Sequence, residues 1–420
     1  MNSGFYFILA AQFFSALADN TLLIAAIAML RNMDSPAAYE PLLKTSFTLS
    51  YVLLAAFVGA FADSMPKRRV MLISNTIKIV GCALLFTHIH PIAAYAVVGL
   101  GAAAYSPAKY GILTEYLPAR LLVVANGWIE GLTVAAIIGG TMLGGVLIQS
   151  DVAHYLLSLD FPVIDTGIAT VRDMNLSFVI GIYGVAAFLN LYVPDTGVDH
   201  KPLKCNPLYL VHEFNHCFRL LWRDKLGQIS LGVTTLFWGA GATLQFVVIE
   251  WSRVQLGLDL THASVMQGVV ALGVAVGSVI AARFVTLRQS VKVIPLGIMM
   301  GIGVLGMIFI RQEWMALVMM LVLGILSGMF VVPMNALLQH RGHTLMGSGH
   351  SIAIQNFNEN LSILVMTGIY SSLLYFQLGI NTIVVLFALF VSGTMWLLMK
   401  RHAANQRIRD DVSYLDDSSH

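Results

Sequence analysis

Met315-Ala-Leu-Val-Met-Met-Leu-Val-Leu-Gly-Ile-Leu-Ser-Gly-Met-Phe-Val-Val332 runs for eighteen residues without one charged side chain. A run of that length and apolarity fits the hydrocarbon core of a bilayer, which takes about 20 helical residues to cross. No water reaches that depth to bond a bare backbone, so the segment must be helical. Similar runs lie near 5–30, 45–63, 70–88, 92–112, 126–149, 176–193, 227–251, 263–286, 293–311, 314–338, 350–375 and 380–399. A membrane barrel would instead show alternating segments of about ten residues. The pattern predicts an all-α integral membrane protein with twelve transmembrane helices.

Composition supports this. Hydrophobic residues make up 57% of the 420 and charged residues 11%, against about 25% charged in soluble domains. A net charge of +2 disfavours a nucleic-acid-binding face, and three cysteines (Cys82, Cys205, Cys217) are too few and too odd for a disulfide scaffold. No Lys or Arg precedes Arg31, so the first span lacks the positive flank of a cleaved signal. Counting Arg283 and Arg311 at the span ends with the loops that follow, seventeen Lys and Arg fall in the even-numbered loops and the tail, and five in the odd-numbered loops. The positive-inside rule then predicts both termini in the cytoplasm.

The longest cytoplasmic connection divides the chain into a six-helix bundle over 1–193, a linker over 194–226, a second six-helix bundle over 227–399 and a tail over 400–420. Polar positions recur between the halves at an offset of 226: Pro107 with Pro333, Lys109 with Asn335, Asp19 with Gln245, and Glu130 with Asn356. Duplicated halves around a midplane site would produce such a pattern. In the three pairs other than the prolines, the first members are charged and the second are neutral amides, which predicts an electrically lopsided cavity. Gly140 with Gly144, Gly273 with Gly277, and Gly324 with Gly328 have the spacing of small residues that let helix backbones approach. Pro107 and Pro333 would bend spans 4 and 10.

Five ionisable groups sit well inside spans: Asp19, Lys78, Lys109, Glu130 and Glu359. Each costs about 2.5–3.5 kcal/mol at a helix centre, so each should face a bundle interior or a wet cavity. Helical spacing places Gln12, Ser15 and Asp19 on one face, and likewise Asn75 with Lys78, Tyr105 with Lys109, Asn126 with Glu130, and Asn356 with Glu359 and Asn360. A structural ion pair, such as Asp19 with Lys109, is one reading. The other is a polar pocket for a zwitterionic or anionic head group. Lys109, Lys78 and Gln245 would then donate to a phosphodiester, and Asp19, Glu130 and Glu359 would accept from an ammonium or hydroxyl. Trp238 falls one turn before Gly241 and two before Gln245, on the face of such a pocket.

Between spans 2 and 3 lies Gly59-Ala-Phe-Ala-Asp63-Ser-Met-Pro66-Lys67-Arg68-Arg69. It resembles the signature loop of the major facilitator superfamily, with Ser64 where a basic residue is usual and Pro66 where Gly is usual. The resemblance implies a charge latch of Gly59, Asp63, Lys67 and Arg68. The second half keeps Gly277, Arg283, Arg288 and Lys292 but lacks the acid. More specific stretches resemble the lysophospholipid transporters of that superfamily: Ala11-Gln12-Phe-Phe-Ser15-Ala-Leu-Ala-Asp19-Asn20, Gly101-Ala-Ala-Ala-Tyr105-Ser-Pro107-Ala-Lys109-Tyr-Gly111-Ile-Leu, Leu236-Phe-Trp238-Gly-Ala-Gly241, Val331-Val-Pro333-Met-Asn335-Ala-Leu-Leu-Gln339 and Ala353-Ile-Gln355-Asn356 with Glu359-Asn360. Gln245 stands where those proteins often carry Arg.

The resemblance implies two pseudo-symmetric bundles in a bacterial inner membrane. They would rock about a substrate site of Asp19, Lys78, Lys109, Glu130, Trp238, Gln245, Asn335, Asn356 and Glu359. It implies transport of lyso-phosphatidylethanolamine and lyso-phosphatidylglycerol to the cytoplasmic leaflet, where an acyl-ACP-dependent lysophospholipid acyltransferase would re-acylate them. It calls for no cofactor or metal. A proton-coupled small-molecule or drug transporter is the alternative, with Asp19, Glu130 or Glu359 carrying the proton. His212-Glu213-Phe214-Asn215-His216 matches the two-His, one-Glu pattern of zinc peptidases. It lies in the linker, where its side chains are expected to face water. His88 and His90 belong to a short outer turn, and His340, His343 and His350 crowd the inner ends of spans 10 and 11. The tail mixes Lys400, Arg401, Arg407 and Arg409 with Asp410, Asp411, Asp416 and Asp417, and reads as a basic membrane-surface patch before an acidic end.

Overall fold

The structure, a computed structural model, describes residues 3–33, 39–87, 89–149, 152, 170–200, 202–204, 206–408 and 412. His88, Cys205 and the tail residues Arg409, Asp410, Asp411, Asp416 and Asp417 lie outside the described residues. The described residues form thirteen α-helices: α1 Ser3–Asn32, α2 Tyr39–Asp63, α3 Lys67–Ala83, α4 Pro91–Tyr116, α5 Leu122–Ile148, α6 Val171–Asn190, α7 Pro207–Arg223, α8 Gly227–Leu256, α9 Leu260–Phe284, α10 Ile294–Gly306, α11 Glu313–Met346, α12 Ser348–Tyr375 and α13 Ile380–Ile408. All twelve expected spans are helical. Eleven are long and apolar enough to cross a membrane. The exception is α12, where His350, Gln355, Asn356, Asn358, Glu359 and Asn360 lower the mean hydropathy of an otherwise spanning-length helix. The extra helix, α7, occupies the linker. Helices α4 and α11 continue through Pro107 and Pro333.

The chain packs as two compact units. One comprises Met1–Ile112 with Ala135–Leu210, and the other Leu113–Val134 with Val211–His420. In the first, α6 packs on α1 and α3, around Leu22, Leu30, Leu85, Val98, Leu176 and Tyr183. In the second, Val247, Trp251, Met266, Met307, Met320 and Val384 form the core. Large apolar side chains such as Leu53, Met142, Val279, Phe284 and Leu389 point outward. That surface suits hydrocarbon and would be unusual in water.

Small residues set the closest approaches. In the first unit a Cβ added at Gly140 would lie 2.6 Å from the Leu17 carbonyl oxygen, and one at Gly144 would lie 2.8 Å from Ile24 Cβ. Thr21 Oγ1 donates across this contact to the Gly140 carbonyl at 3.2 Å. In the second unit α9 crosses α11 backbone to backbone. A Cβ at Gly273 would meet the Leu321 carbonyl oxygen at 2.6 Å and Gly324 Cα at 2.9 Å. Lipid tails are as apolar as leucine, so helices in a bilayer associate through such van der Waals fit rather than through expulsion of water. Gly347, at φ 103°, makes the break between α11 and α12, a backbone region that costs glycine little.

Helix α7 is amphipathic. Phe214 and Phe218 stack edge-on against Phe357 at 5.5 and 6.2 Å. Cys217 and Leu221 bury against Leu231, Leu338, Met346 and Ile354. Its other face exposes Leu208 and Val211.

Gly277→Val places its side chain on the Ile325 carbonyl and should lower the thermal midpoint of the purified protein by several degrees, as overpacking costs about 1–3 kcal/mol. Gly241→Ala, where a Cβ meets open space, should leave the midpoint within error or raise it.

Candidate functional site: a buried polar nest in each unit

The first unit holds an ion pair at membrane depth. Lys78 comes from α3 and is 1% exposed. Its Nζ donates to Asp19 Oδ2 at 2.7 Å and to Ser15 Oγ at 3.0 Å. Ser15 Oγ donates in turn to Asn75 Oδ1 at 2.8 Å, and Tyr183 OH donates to Asp19 Oδ1 at 2.6 Å. The ammonium also lies over the rings of Tyr105 and Tyr183, at 5.0 and 5.7 Å. Gly101 makes room for it, since a Cβ there would strike Lys78 Cγ at 2.7 Å. Both charges are thus compensated several times over, as burial at low dielectric requires. The nest also leaves the buried Asn75 Nδ2 without a hydrogen-bond partner. Such an atom is where a polar guest or a water has a group to meet.

The partner of Asp19 is therefore Lys78, not Lys109. Lys109 sits half-buried on α4 with its ammonium 4.2 Å over the Tyr110 ring. At the end of the same unit's α2, Lys67 Nζ donates to Asp63 Oδ1 at 2.8 Å and to the Ala62 carbonyl at 2.7 Å. Arg68 lies 3.5 Å from Asp195 just beyond α6, and Gly59 is buried. The loop's basic cluster thus ties α2 and α3 to the end of α6.

The second unit's nest is built from amides. Gln355 Nε2 on α12 donates to Glu359 Oε1 at 2.8 Å and to Asn335 Oδ1 of α11 at 3.1 Å. Asn356 and Glu130 are buried. Asn126 and Gln339 exchange two hydrogen bonds of 2.8 Å each, a reciprocal pair that satisfies two buried amides at once. Nearer the helix ends, Ser348 Oγ donates to Glu115 at 2.6 Å, and Arg341 grips Asp224 with two nitrogens. Asp224 also accepts from the Gly227 backbone N–H at 2.7 Å, starting α8.

The first nest gathers Asp19 and Lys78, and the second gathers Asn335 and Glu359. Gln245 is exposed, and its carbonyl accepts from Gln267 Nε2 at 3.1 Å. Trp238 is half-buried with its ring edge-on to Phe237. Its indole N–H has no hydrogen-bond partner. In the linker, His212 and His216 are exposed, and Glu213 lies 3.9 Å from His350. Sequence reasoning missed Tyr183 and Glu115, and gave Gln339 no role of its own. A tyrosine in the middle of span 6 was the available signal for the first. Glu115 sits near a helix end, where polar residues are ordinary.

Residues 8–366 match the profile of the Major Facilitator Superfamily. The chain belongs to that superfamily. The lysophospholipid transporter LplT of Yersinia enterocolitica is 37% identical, over 91% of this chain and 90% of that protein. LplT of Yersinia pestis is 39% identical, over 87% of this chain and 85% of that protein. Among solved structures, the human organic anion transporter MFSD10 superposes with a TM-score of 0.71 at 14% identity, covering 96% of this chain and all of that one. A bacterial homologue of the iron transporter ferroportin gives 0.71 at 13%, covering 97% and 100%. At such identities the likeness establishes the fold alone. The chain is a multi-pass membrane transporter of the superfamily, with two charged or polar nests at its helix centres.

Removing one member of the buried pair strands the other charge. Lys78→Met alone should cost about 3–5 kcal/mol and sharply cut the yield of folded protein in detergent. The double variant Lys78→Met with Asp19→Leu should recover most of that yield. Equal yields for the single and double variants would show that the pair is not held in a dry environment.

Proposed function

We propose that this protein carries lysophospholipids, including lyso-phosphatidylethanolamine and lyso-phosphatidylglycerol, across a bacterial inner membrane to the cytoplasmic leaflet by alternating access. The observation that carries the reading is the 37–39% identity, over about nine-tenths of the chain, to proteins named as lysophospholipid transporters. The nests suit the chemistry. A lysophospholipid head pairs a phosphodiester with an ammonium or glycerol hydroxyls, so it needs donors and acceptors at short range. Lys78 and Lys109 offer cationic donors. Asp19, Glu130 and Glu359 offer acceptors. Asn335, Asn356, Gln245 and the Trp238 indole offer neutral contacts that do not trap a charge.

The remaining parts of the proposal follow from charge and chemistry. The excess of Lys and Arg in alternate loops supports an orientation with both termini in the cytoplasm. The product, a single-chain lipid delivered to that leaflet, is the acceptor an acyl-ACP-dependent lysophospholipid acyltransferase consumes, and that enzyme is the proposed functional partner. Gly59, Asp63, Lys67 and Arg68 are the proposed latch. The bundles are taken as 1–193 and 227–399, joined by the linker 194–226.

Spheroplasts or vesicles carrying the protein should take up labelled lyso-phosphatidylethanolamine and leave the matching diacyl lipid behind. Equal handling of both lipids would overturn the substrate assignment. Lys109→Ala and Glu359→Gln should each lower the uptake rate at least about tenfold, the loss of about 1.4 kcal/mol, with expression near normal. His216→Ala should transport at the normal rate. Uptake that persists after collapse of the proton gradient would remove the proton-coupled alternative.

A further inference from the structure

A groove of about 370 Å³ runs along the flank of the first unit, within the range of about 300–1,000 Å³ typical of small-molecule sites. Leu54, Phe57 and Phe61 of α2, Leu100 and Ala104 of α4, and Lys204 of the linker line it. Positions 54, 57 and 61 follow one helix face over about 10 Å of rise. Lys204 is the one charged side chain in the lining. It is exposed, with its ammonium 3.9 Å over the Tyr209 ring. The groove shares no residue with the Asp19–Lys78 nest, and meets the loop at Asp63 only through Phe61.

We propose that this groove binds an anionic diacyl phospholipid of the adjacent leaflet, with one acyl chain along α2 and α4 and the head-group phosphate on Lys204. Charge complementarity selects the occupant. A free phosphate would leave the apolar walls unused, and a neutral hydrocarbon would leave the lysine unused. Only an amphiphile with a negative head answers both. Any lipid tail can fill an outward groove in hydrocarbon with little net gain, so selectivity must come from the head. A basic residue at the mouth of an inter-helix groove is the usual device for it. Occupancy would tie Leu203, Lys204 and Leu210 to α2 and α4. The inference stands apart from the transported substrate. It rests on the proposed orientation only for naming the leaflet as cytoplasmic.

The test uses the full-length protein in phosphatidylcholine vesicles. The vesicles contain a trace of diacyl phosphatidylglycerol bearing a diazirine on one acyl chain. Photolysis followed by peptide mapping should place adducts on the α2 and α4 peptides that carry Phe57, Phe61 and Leu100. Lys204→Glu should lower that labelling at least about fivefold, the ratio expected when one lysine near an anionic surface is lost, and Lys204→Arg should retain it. Lys204 lies on an exposed loop, and an unchanged thermal midpoint checks that the variants fold. Equal labelling by a diazirine phosphatidylcholine, or labelling that ignores Lys204→Glu, would overturn the proposal. So would labelling confined to a single-chain phosphatidylglycerol probe, which would make the groove a path for substrate. Lysophospholipid uptake is read separately on the same vesicles. Uptake with no groove labelling sinks the groove and spares the function. Groove labelling with no uptake does the reverse.

Discussion

Water is missing where this chain spends most of its length, and that absence governs the rest. A backbone amide or a carboxylate that would bond to solvent in a soluble protein must find its partner within the protein. The Lys78–Asp19 pair shows the rule in its strictest form. The ammonium has Asp19, Ser15 and two tyrosine rings around it, and the carboxylate takes a second hydrogen bond from Tyr183. Neither charge is tolerable alone at that depth. Together they pin α1, α3 and α6 to one register.

The same constraint explains why packing relies on glycine. Burying leucine against leucine gains little when the competing solvent is itself hydrocarbon, so close contact has to come from shape. Gly273 facing Gly324, and Gly140 on the Leu17 carbonyl, bring backbones near enough for many weak contacts to add up. Polar nests and glycine seams are complementary devices. The seams hold helices together without using polar groups, which leaves those groups free to gather at helix centres.

The helices were legible in the sequence because bilayer thickness is a fixed ruler, and eighteen uncharged residues before Pro333 measure against it directly. Helical spacing also foretold that Ser15 and Asp19 share a face and that Asn75 travels with Lys78. Partner choice across helices was not legible. Asp19 pairs with Lys78 rather than Lys109, and Gly101 on α4 leaves room beside Lys78, a fact about how two helices touch rather than about either helix's own pattern. The helix α7 inside the linker was half-visible: its His212-Glu213 motif caught the eye, while the structurally decisive residues were Phe214, Cys217, Phe218 and Leu221. Of the positions paired at an offset of 226, Asp19 and Asn335 are bonded within the nests while Lys109 and Gln245 make contacts elsewhere, and the second nest keeps the charged Glu359 among its amides.

That distribution bears on what a zwitterionic head would meet. In the first nest the positive and negative groups are already joined, so a phosphodiester gains Lys78 only by sharing it with Asp19. Sharing is easiest for a ligand that brings its own cation for the released carboxylate. A head without a cation must offer the carboxylate a hydroxyl instead, as glycerol does, and a bare cation would strip Lys78 of its partner. The amide nest has the opposite character. Gln355 and Asn335 can turn either a donor or an acceptor outward at little electrostatic cost, which suits head groups that share a phosphate and differ in charge. A paired ion site next to a phosphodiester selects for a head that brings a donor beside its anion, and amides permit variation within it. Those are the demands set by a family of single-chain phospholipids that differ in their head groups and share one phosphate.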